Sequence, residues 1–127
     1  MNETQDYSEL TRNFENHEVD STTFRHAEHV RVAYDLLKKY DFINASSVYA
    51  TGIKTIAFKA GAAKKFNATI TYAFMSLIAE RMANQNPDSF EEFVEENTDL
   101  MTKTVLEKWY PAERLQSDVA RSVFLLP

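Results

Sequence analysis

Cysteine is absent from the sequence, and its absence excludes disulfide bonds, thiolate metal sites and cysteine nucleophiles. Glycine occurs only twice and proline three times, which argues against many short strands joined by tight turns and favours long helices. No apolar run approaches the roughly 18 residues that cross a membrane, and the N-terminal segment lacks the basic and apolar regions of a signal peptide. We therefore expect a cytoplasmic protein without a membrane partner.

The chain also has little positive charge. Its 14 lysines and arginines are outnumbered by 19 aspartates and glutamates, which gives a net charge of -5. Because phosphate binding needs a clustered cationic surface, we expect no nucleic-acid partner. Segment 54–65 is locally basic, but its four lysines lie near the predicted end of a helix, where cations offset the negative pole of the dipole.

The apolar residues recur at helical spacing, and they predict an all-α single domain of six or seven helices over residues 1–127. The predicted elements are a short helix over 5–14, a connection over 15–22, a helix that starts at 20–22 and ends at 40, a helix over 45–60, an apolar helix over 67–83, a short helix after 89, a helix over 100–109 and one or two short helices after 111. The helix over 67–83 is apolar on nearly every side, so we expect it to be the central element.

Capping residues predict where several helices begin and end. Asn44, Asn67 and Ser117 are expected N-caps, and Ser89 opens a Ser-x-x-Glu capping box. Gly61 suits the left-handed position that ends a helix. Together these residues indicate compact helices joined by short connections.

Two of the three histidines, His26 and His29, lie three residues apart in the second predicted helix. At about 100° per residue both fall on the apolar arc of that helix, whereas Asp35 falls on the opposite arc, which is predicted to be solvated. A buried imidazole must place a donor and an acceptor, and an unsatisfied polar group costs about 1–3 kcal/mol. The pair therefore indicates either two satisfied core residues or one wall of a polar pocket. His17, in the connection, is expected to be exposed.

Neighbouring helices offer partners for the two imidazoles. We predict a site in which His26 and His29 are the catalytic groups and four polar side chains bind the ligand: Asn67, Thr71, Tyr34 and Thr69. An alternative is that these side chains are structural, since helical threonines often bond their own preceding carbonyls and Asn67 suits an N-cap.

Metal chemistry has weak support. The H-x-x-H spacing differs from the H-E-x-x-H of zinc proteases and from the paired E-x-x-H motifs of di-iron bundles. Two imidazoles do not complete a metal site, and Glu80 would add a third ligand only if its helix face meets the histidines. We therefore expect no tightly bound metal, and the sequence indicates no other cofactor.

The pattern resembles a family of small, uncharacterised bacterial all-helical proteins. Their F-x-H-x-x-H-x-R-x-A motif is matched from Phe24 to Ala33, and their R-L-x-S-x-x-A-R motif is matched from Arg114 to Arg121. A middle motif, Y-H-x-T-x-T-x-A followed by an aromatic residue, is matched except that Phe66 and Asn67 stand where the family has tyrosine and histidine. The likeness covers residues 22–127, with 1–21 as an additional helix and connection. It implies a shared pocket in which this chain lacks the third imidazole.

Two functions of different classes follow. The first is a small-molecule binding or catalytic pocket lined by the two histidines, which exchange protons near neutrality. The second is a non-catalytic helical interaction module that acts as a homodimer or binds a protein partner. The apolar residues of the tail motivate it, although we expect them to dock on the domain's own core: Val123, Phe124, Leu125 and Leu126. The sequence does not decide whether the protein is an enzyme.

Overall fold

The computed structural model describes residues 7–127, which form seven α-helices and three 3₁₀ turns. The helices are α1 (Glu9–Glu15), α2 (His26–Lys39), α3 (Phe42–Lys59), α4 (Ala68–Gln85), α5 (Phe90–Glu96), α6 (Ala112–Leu115) and α7 (Asp118–Ser122). The 3₁₀ turns are Ala63–Lys65, Thr98–Met101 and Val105–Lys108. This part of the chain contains no strand, so the predicted all-α fold is confirmed. Residues 5 and 6 of the first predicted helix lie outside the described residues.

Most of the predicted caps are present. The Asn67 side chain accepts a hydrogen bond from the Ile70 amide at 2.9 Å and starts α4. Ser89 and Ser117 cap α5 and α7 in the same way. Gly61 has a φ of 71° just after α3, which is the left-handed geometry expected for a residue that ends a helix.

Two helices begin at residues other than those predicted. The carboxylate of Asp20 accepts hydrogen bonds from the amide and hydroxyl of Thr22, which closes a local turn, and α2 starts four residues later at His26. Asp41 rather than Asn44 caps α3, because the Asp41 carboxylate accepts the Asn44 amide at 2.8 Å. In both cases an aspartate carboxylate accepts a backbone amide two or three residues later, and this local bond sets where the chain turns or the helix begins.

The helix predicted over 100–109 is instead two 3₁₀ turns. They are separated by 102–104, a segment with threonine at two of its three positions. Threonine has a low helix propensity, and it replaces the long apolar side chains that would extend a continuous face. The predicted stop before Pro111 is confirmed, since the second turn ends at Lys108.

Helices α2 and α4 share the interior. α2 packs against α1, α3 and α4, while α4 also packs against α3 and α7. Four apolar residues of α2 have no exposed surface: Val30, Val32, Ala33 and Leu36. Because these residues point in several directions around the helix, α2 is enclosed on more than one side.

Asp35 is buried, so its predicted place on a solvated face is wrong. It is 1% exposed, and its carboxylate accepts hydrogen bonds from the hydroxyls of Ser8 at 2.7 Å and Thr11 at 2.8 Å. The guanidinium of Arg31 donates to it at 3.1 Å from the preceding turn of α2. The helical wheel failed here because α1 covers the polar side of α2 and supplies donors for the charge.

The C-terminal tail is held through its backbone rather than through its apolar side chains. The Thr69 hydroxyl donates to the Val123 carbonyl at 2.6 Å and accepts from the Leu125 amide at 3.0 Å. Val123, Phe124 and Leu126 remain 48%, 47% and 70% exposed, so the expectation that they dock on the core is wrong. Among the described residues, no helix is both long and apolar enough to span a membrane.

Candidate functional site

A cavity of about 420 Å³ lies where the start of α2, the second half of α3 and the start of α4 meet. Its volume is within the usual range for small-molecule sites. Most of the lining is apolar, from Phe24, Ile53, Ile56, Ala57, Ala60, Ala62, Phe66, Ile70, Phe74 and Leu106. The polar or ionisable lining residues are His26, His29, Tyr49, Lys65, Asn67, Thr71 and Lys103.

His26 is the first residue of α2, and its ring spans the gap to the 3₁₀ turn at Thr98–Met101. Its Nε2 is 2.7 Å from the carbonyl oxygen of Leu100. A carbonyl only accepts, so Nε2 carries the proton and Nδ1 of the neutral ring has the lone pair. The ring also lies 5.5 Å from the ring of Phe74, centroid to centroid. His26 is therefore fixed in orientation by one hydrogen bond and one aromatic contact.

His29 lies one turn later and is oriented by its own helix. Its Nδ1 donates to the carbonyl of Arg25 at 2.6 Å, and its ring packs 4.5 Å from the ring of Phe24. The neutral ring therefore has its lone pair on Nε2, and no described residue forms a hydrogen bond to that atom. The Nε2 atom of His29 can therefore accept a hydrogen bond from a molecule in the cavity.

The environment of His29 favours the neutral ring. Burial lowers its pKa below the usual value of about 6.5, because the charged form loses hydration. The bond to the Arg25 carbonyl opposes this shift, and repulsion from His26 adds to it. At neutral pH the ring is therefore a hydrogen-bond acceptor at Nε2.

Tyr49 of α3 is the most unusual polar group of the cavity wall. It is only 2% exposed, and burial raises the pKa of its phenol far above the normal range. Its ring packs 6.0 Å from that of Phe14, but its hydroxyl has no hydrogen-bond partner in the described part of the chain. The hydroxyl is not among the fully enclosed side-chain atoms that lack a partner, so it reaches the surface of the cavity. The wall thus has a neutral donor that the protein itself does not satisfy.

The structure brings four of the six predicted site residues to this cavity. His26, His29, Asn67 and Thr71 all line it. However, the Asn67 side chain is used by the Ile70 amide and by the Leu115 carbonyl, to which it donates at 2.7 Å. The Thr71 hydroxyl donates to the Asn67 carbonyl at 2.7 Å. The structural alternative therefore accounts for these two side chains, and the imidazoles are the freer groups.

Thr69 and Tyr34 do not line the cavity, which corrects their predicted place in the site. Thr69 faces the opposite side of α4, where it holds the C-terminal tail. Tyr34 packs against α5, with ring centroids 5.3 Å from those of Phe90 and Phe93. The error came from grouping polar residues by helix, although Thr69 and Thr71 differ by about 200° around α4.

Three cavity residues were missed by sequence reasoning. Tyr49 lies within the helix predicted over 45–60, and no local pattern distinguishes its hydroxyl from a bonded one. Lys65 was assigned to the end of a helix, and Lys103 lies in a connection that was expected to be helical. The basic segment 54–65 was the one available signal, and it was given a purely local explanation.

The geometry of the site does not assemble a third metal ligand. Glu80 lies three turns after Asn67 on α4, and it lines a different groove, together with Trp109 and Phe124. Among residues 7–127, no group of three histidine, aspartate or glutamate side chains is close enough to hold an ion. The arrangement instead pairs a neutral acceptor, His29 Nε2, with a neutral donor, the Tyr49 hydroxyl, in an apolar cavity.

The chain matches no protein-family model, and no curated protein or solved structure is similar to it.

Proposed function

We propose that the protein binds a small molecule in the cavity between α2, α3 and α4. The observation that carries this proposal is Tyr49, a buried residue whose hydroxyl borders the open cavity and has no hydrogen-bond partner among the described residues. Buried polar groups are almost always hydrogen-bonded in folded proteins. A ligand with a polar atom on an apolar body would satisfy Tyr49 and fill the cavity.

His29, on a different helix that also lines the cavity, supports the same proposal. Its proton is held on Nδ1 by the Arg25 carbonyl, so Nε2 has a fixed acceptor role. Ordered water can satisfy such groups, but water alone does not require an apolar cavity of about 420 Å³. The combination of a fixed acceptor, a hydroxyl that can donate and apolar walls is typical of ligand pockets.

The same pair of groups suits proton transfer. A neutral imidazole with a free Nε2 can remove a proton from a ligand, and the Tyr49 hydroxyl can stabilise the negative charge that develops. His26 would then act as a positioning residue, because its Nδ1 is held near the cavity by the bond from Nε2 to Leu100. The proposed function is therefore binding. Catalysis would require in addition that the bound molecule exchange a proton with His29.

Binding can be tested with 4-ethylphenol, a neutral molecule with an apolar body and one hydroxyl. Titration should shift the NMR signals of the His29 and Tyr49 side chains and saturate. Ala57→Phe and Ala60→Phe each place a bulky ring in the cavity lining, and both should abolish the shifts. The absence of any shift in the unchanged protein would reject the proposal, as would equal binding by both blocked variants.

A homodimer is the second candidate function. The observation that favours it is the exposure of Val123, Phe124 and Leu126 beside Trp109, which shares a shallow groove with Phe124. Exposed apolar groups that lie together often mark an interface. Sedimentation velocity at micromolar concentration should then show a dimer that Phe124→Ser with Leu126→Ser converts to monomer. A monomer before substitution would reject this candidate.

The resemblance to the histidine-containing bacterial family stays a prediction. If it holds, Asn67 replaces an imidazole at the start of α4, next to the cavity. Asn67→His should then place a third imidazole near His26 and His29. Zn²⁺ binding by that variant, measured by calorimetry against the unchanged protein, would support the prediction, and no gain in affinity would count against it.

A further inference from the structure

The fully charged side chains that line the cavity are both lysines, although the chain has a net charge of -5. The cavity lining contains Lys65 and Lys103, and both are exposed, so they lie at its opening. A neighbouring groove shares Lys65 with the cavity and adds Lys54, Lys64 and Arg121, with Asp118 as its one acidic residue. No aspartate or glutamate lines the cavity itself.

These lysines are also not used in ion pairs. Within the described part of the chain, the five ion pairs use other cations: Arg31, Lys39, Arg81, Lys108 and Arg121. Lys54 lies 5.9 Å from the ring centroid of Phe66, and no acidic partner is found for Lys65 or Lys103. The cations at the opening thus stay available in a protein that has an excess of carboxylates.

Helix polarity explains some of these lysines but not all of them. Lys59 lies in the last turn of α3, where a cation offsets the negative pole, and its Nζ donates to the His17 carbonyl at 2.7 Å. Lys65 is the last residue of the 3₁₀ turn that follows α3, and Lys103 lies between the two later 3₁₀ turns. Two cations from separate segments therefore border one opening without a structural reason for either.

We propose that the ligand is an organic acid with an apolar body. This inference rests on the proposed binding function and adds the class of ligand. The carboxylate lies at the opening between Lys65 and Lys103, and the apolar body extends inward against Ile53, Ile70 and Phe74. A polar atom at the inner end meets Tyr49 and His29. At roughly 30 Å³ for a water-sized group, the cavity holds a body of about a dozen heavy atoms.

Three probes with the same eight-carbon chain and different head groups test the inference: octanoate, octan-1-ol and octylammonium. Calorimetry at low salt should give the tightest binding for octanoate, weaker binding for octan-1-ol and the weakest for octylammonium. Lys65→Gln with Lys103→Gln should weaken octanoate binding about tenfold and leave octan-1-ol unchanged. Added salt should weaken octanoate binding alone.

The matched control is Lys38→Gln with Lys39→Gln, which also removes two lysines. These residues are at the far end of α2, about 20 Å from His26 by helix rise, and they should leave octanoate binding unchanged. Equal binding of octanoate and octan-1-ol, or an octanoate affinity that the cavity lysines do not affect, would overturn the acid assignment and leave the binding pocket in place. Failure of all three probes together with 4-ethylphenol would overturn both.

Discussion

The ring of Phe14 lies directly against Gly52, so closely that a Cβ on Gly52 would overlap three of the ring carbons. Phe14 is itself fixed, because its ring stacks with Phe24 at 5.6 Å and with Tyr49 at 6.0 Å. Phe24 and Tyr49 both line the cavity. The contact between α1 and α3 thus supports two residues of the candidate site.

Gly52→Ala should destabilise the protein. Overpacking costs about 1–3 kcal/mol, and it outweighs the gain of about 1 kcal/mol in helix propensity because the Phe14 ring has no room to move. We expect a net loss of up to about 2 kcal/mol in the free energy of unfolding, measured with urea. Thr51→Ala, at an exposed position of the same helix, is the control and should change stability little. An equal effect of both substitutions would contradict the close contact.

Asp35→Ala should loosen α1. The substitution leaves the hydroxyls of Ser8 and Thr11 without their acceptor, and we expect a loss of about 2–4 kcal/mol in the free energy of unfolding. Hydrogen exchange should speed up in Glu9–Glu15 more than in the other helices. The control is Asp118→Ala, which removes a fully exposed carboxylate and should leave stability unchanged. Unaltered protection of α1 would show that Asp35 does not hold it.

Stability should decrease as the pH falls from 7.5 to 5, in part through His29. The folded protein lowers the pKa of this ring by burial, whereas the unfolded chain binds the proton near the usual value of about 6.5. Below that pH the unfolded state binds more protons, so the free energy of unfolding falls. The decrease should be smaller in His29→Phe. Identical pH dependence in both proteins would contradict a lowered pKa.

The fold could be predicted because its signals are local. Asn67, Ser89, Ser117 and Gly61 act through hydrogen bonds or backbone angles within a few residues, and the structure places each at a helix end. The prediction for Asp35 was wrong because the contacts that bury it are not local. Its partners in α1 are 24 and 27 residues away, and a helical wheel does not contain them.

The candidate site could be predicted only in part. His26 and His29 were predicted to face inward, and both rings border one cavity, where each is half-buried. The predictions for Thr69 and Tyr34 were wrong because a polar residue of a helix that borders the cavity can still point away from it. Tyr49 was missed because an unbonded hydroxyl is recognised by what surrounds it in three dimensions, and the sequence does not show those surroundings.

We propose that the Tyr49 hydroxyl forms a hydrogen bond with a ligand and does not stabilise the ligand-free protein. The most direct test is the free energy of unfolding of Tyr49→Phe, compared with that of the unchanged protein and measured with urea. Both proteins are first unfolded and refolded to remove any bound molecule. The matched control is Tyr110→Phe, because the Tyr110 hydroxyl donates to the Leu125 carbonyl at 2.8 Å and should cost about 1 kcal/mol when removed. The account predicts that Tyr49→Phe is neutral or stabilises the ligand-free protein by up to about 1 kcal/mol. A loss as large as that of Tyr110→Phe would contradict it.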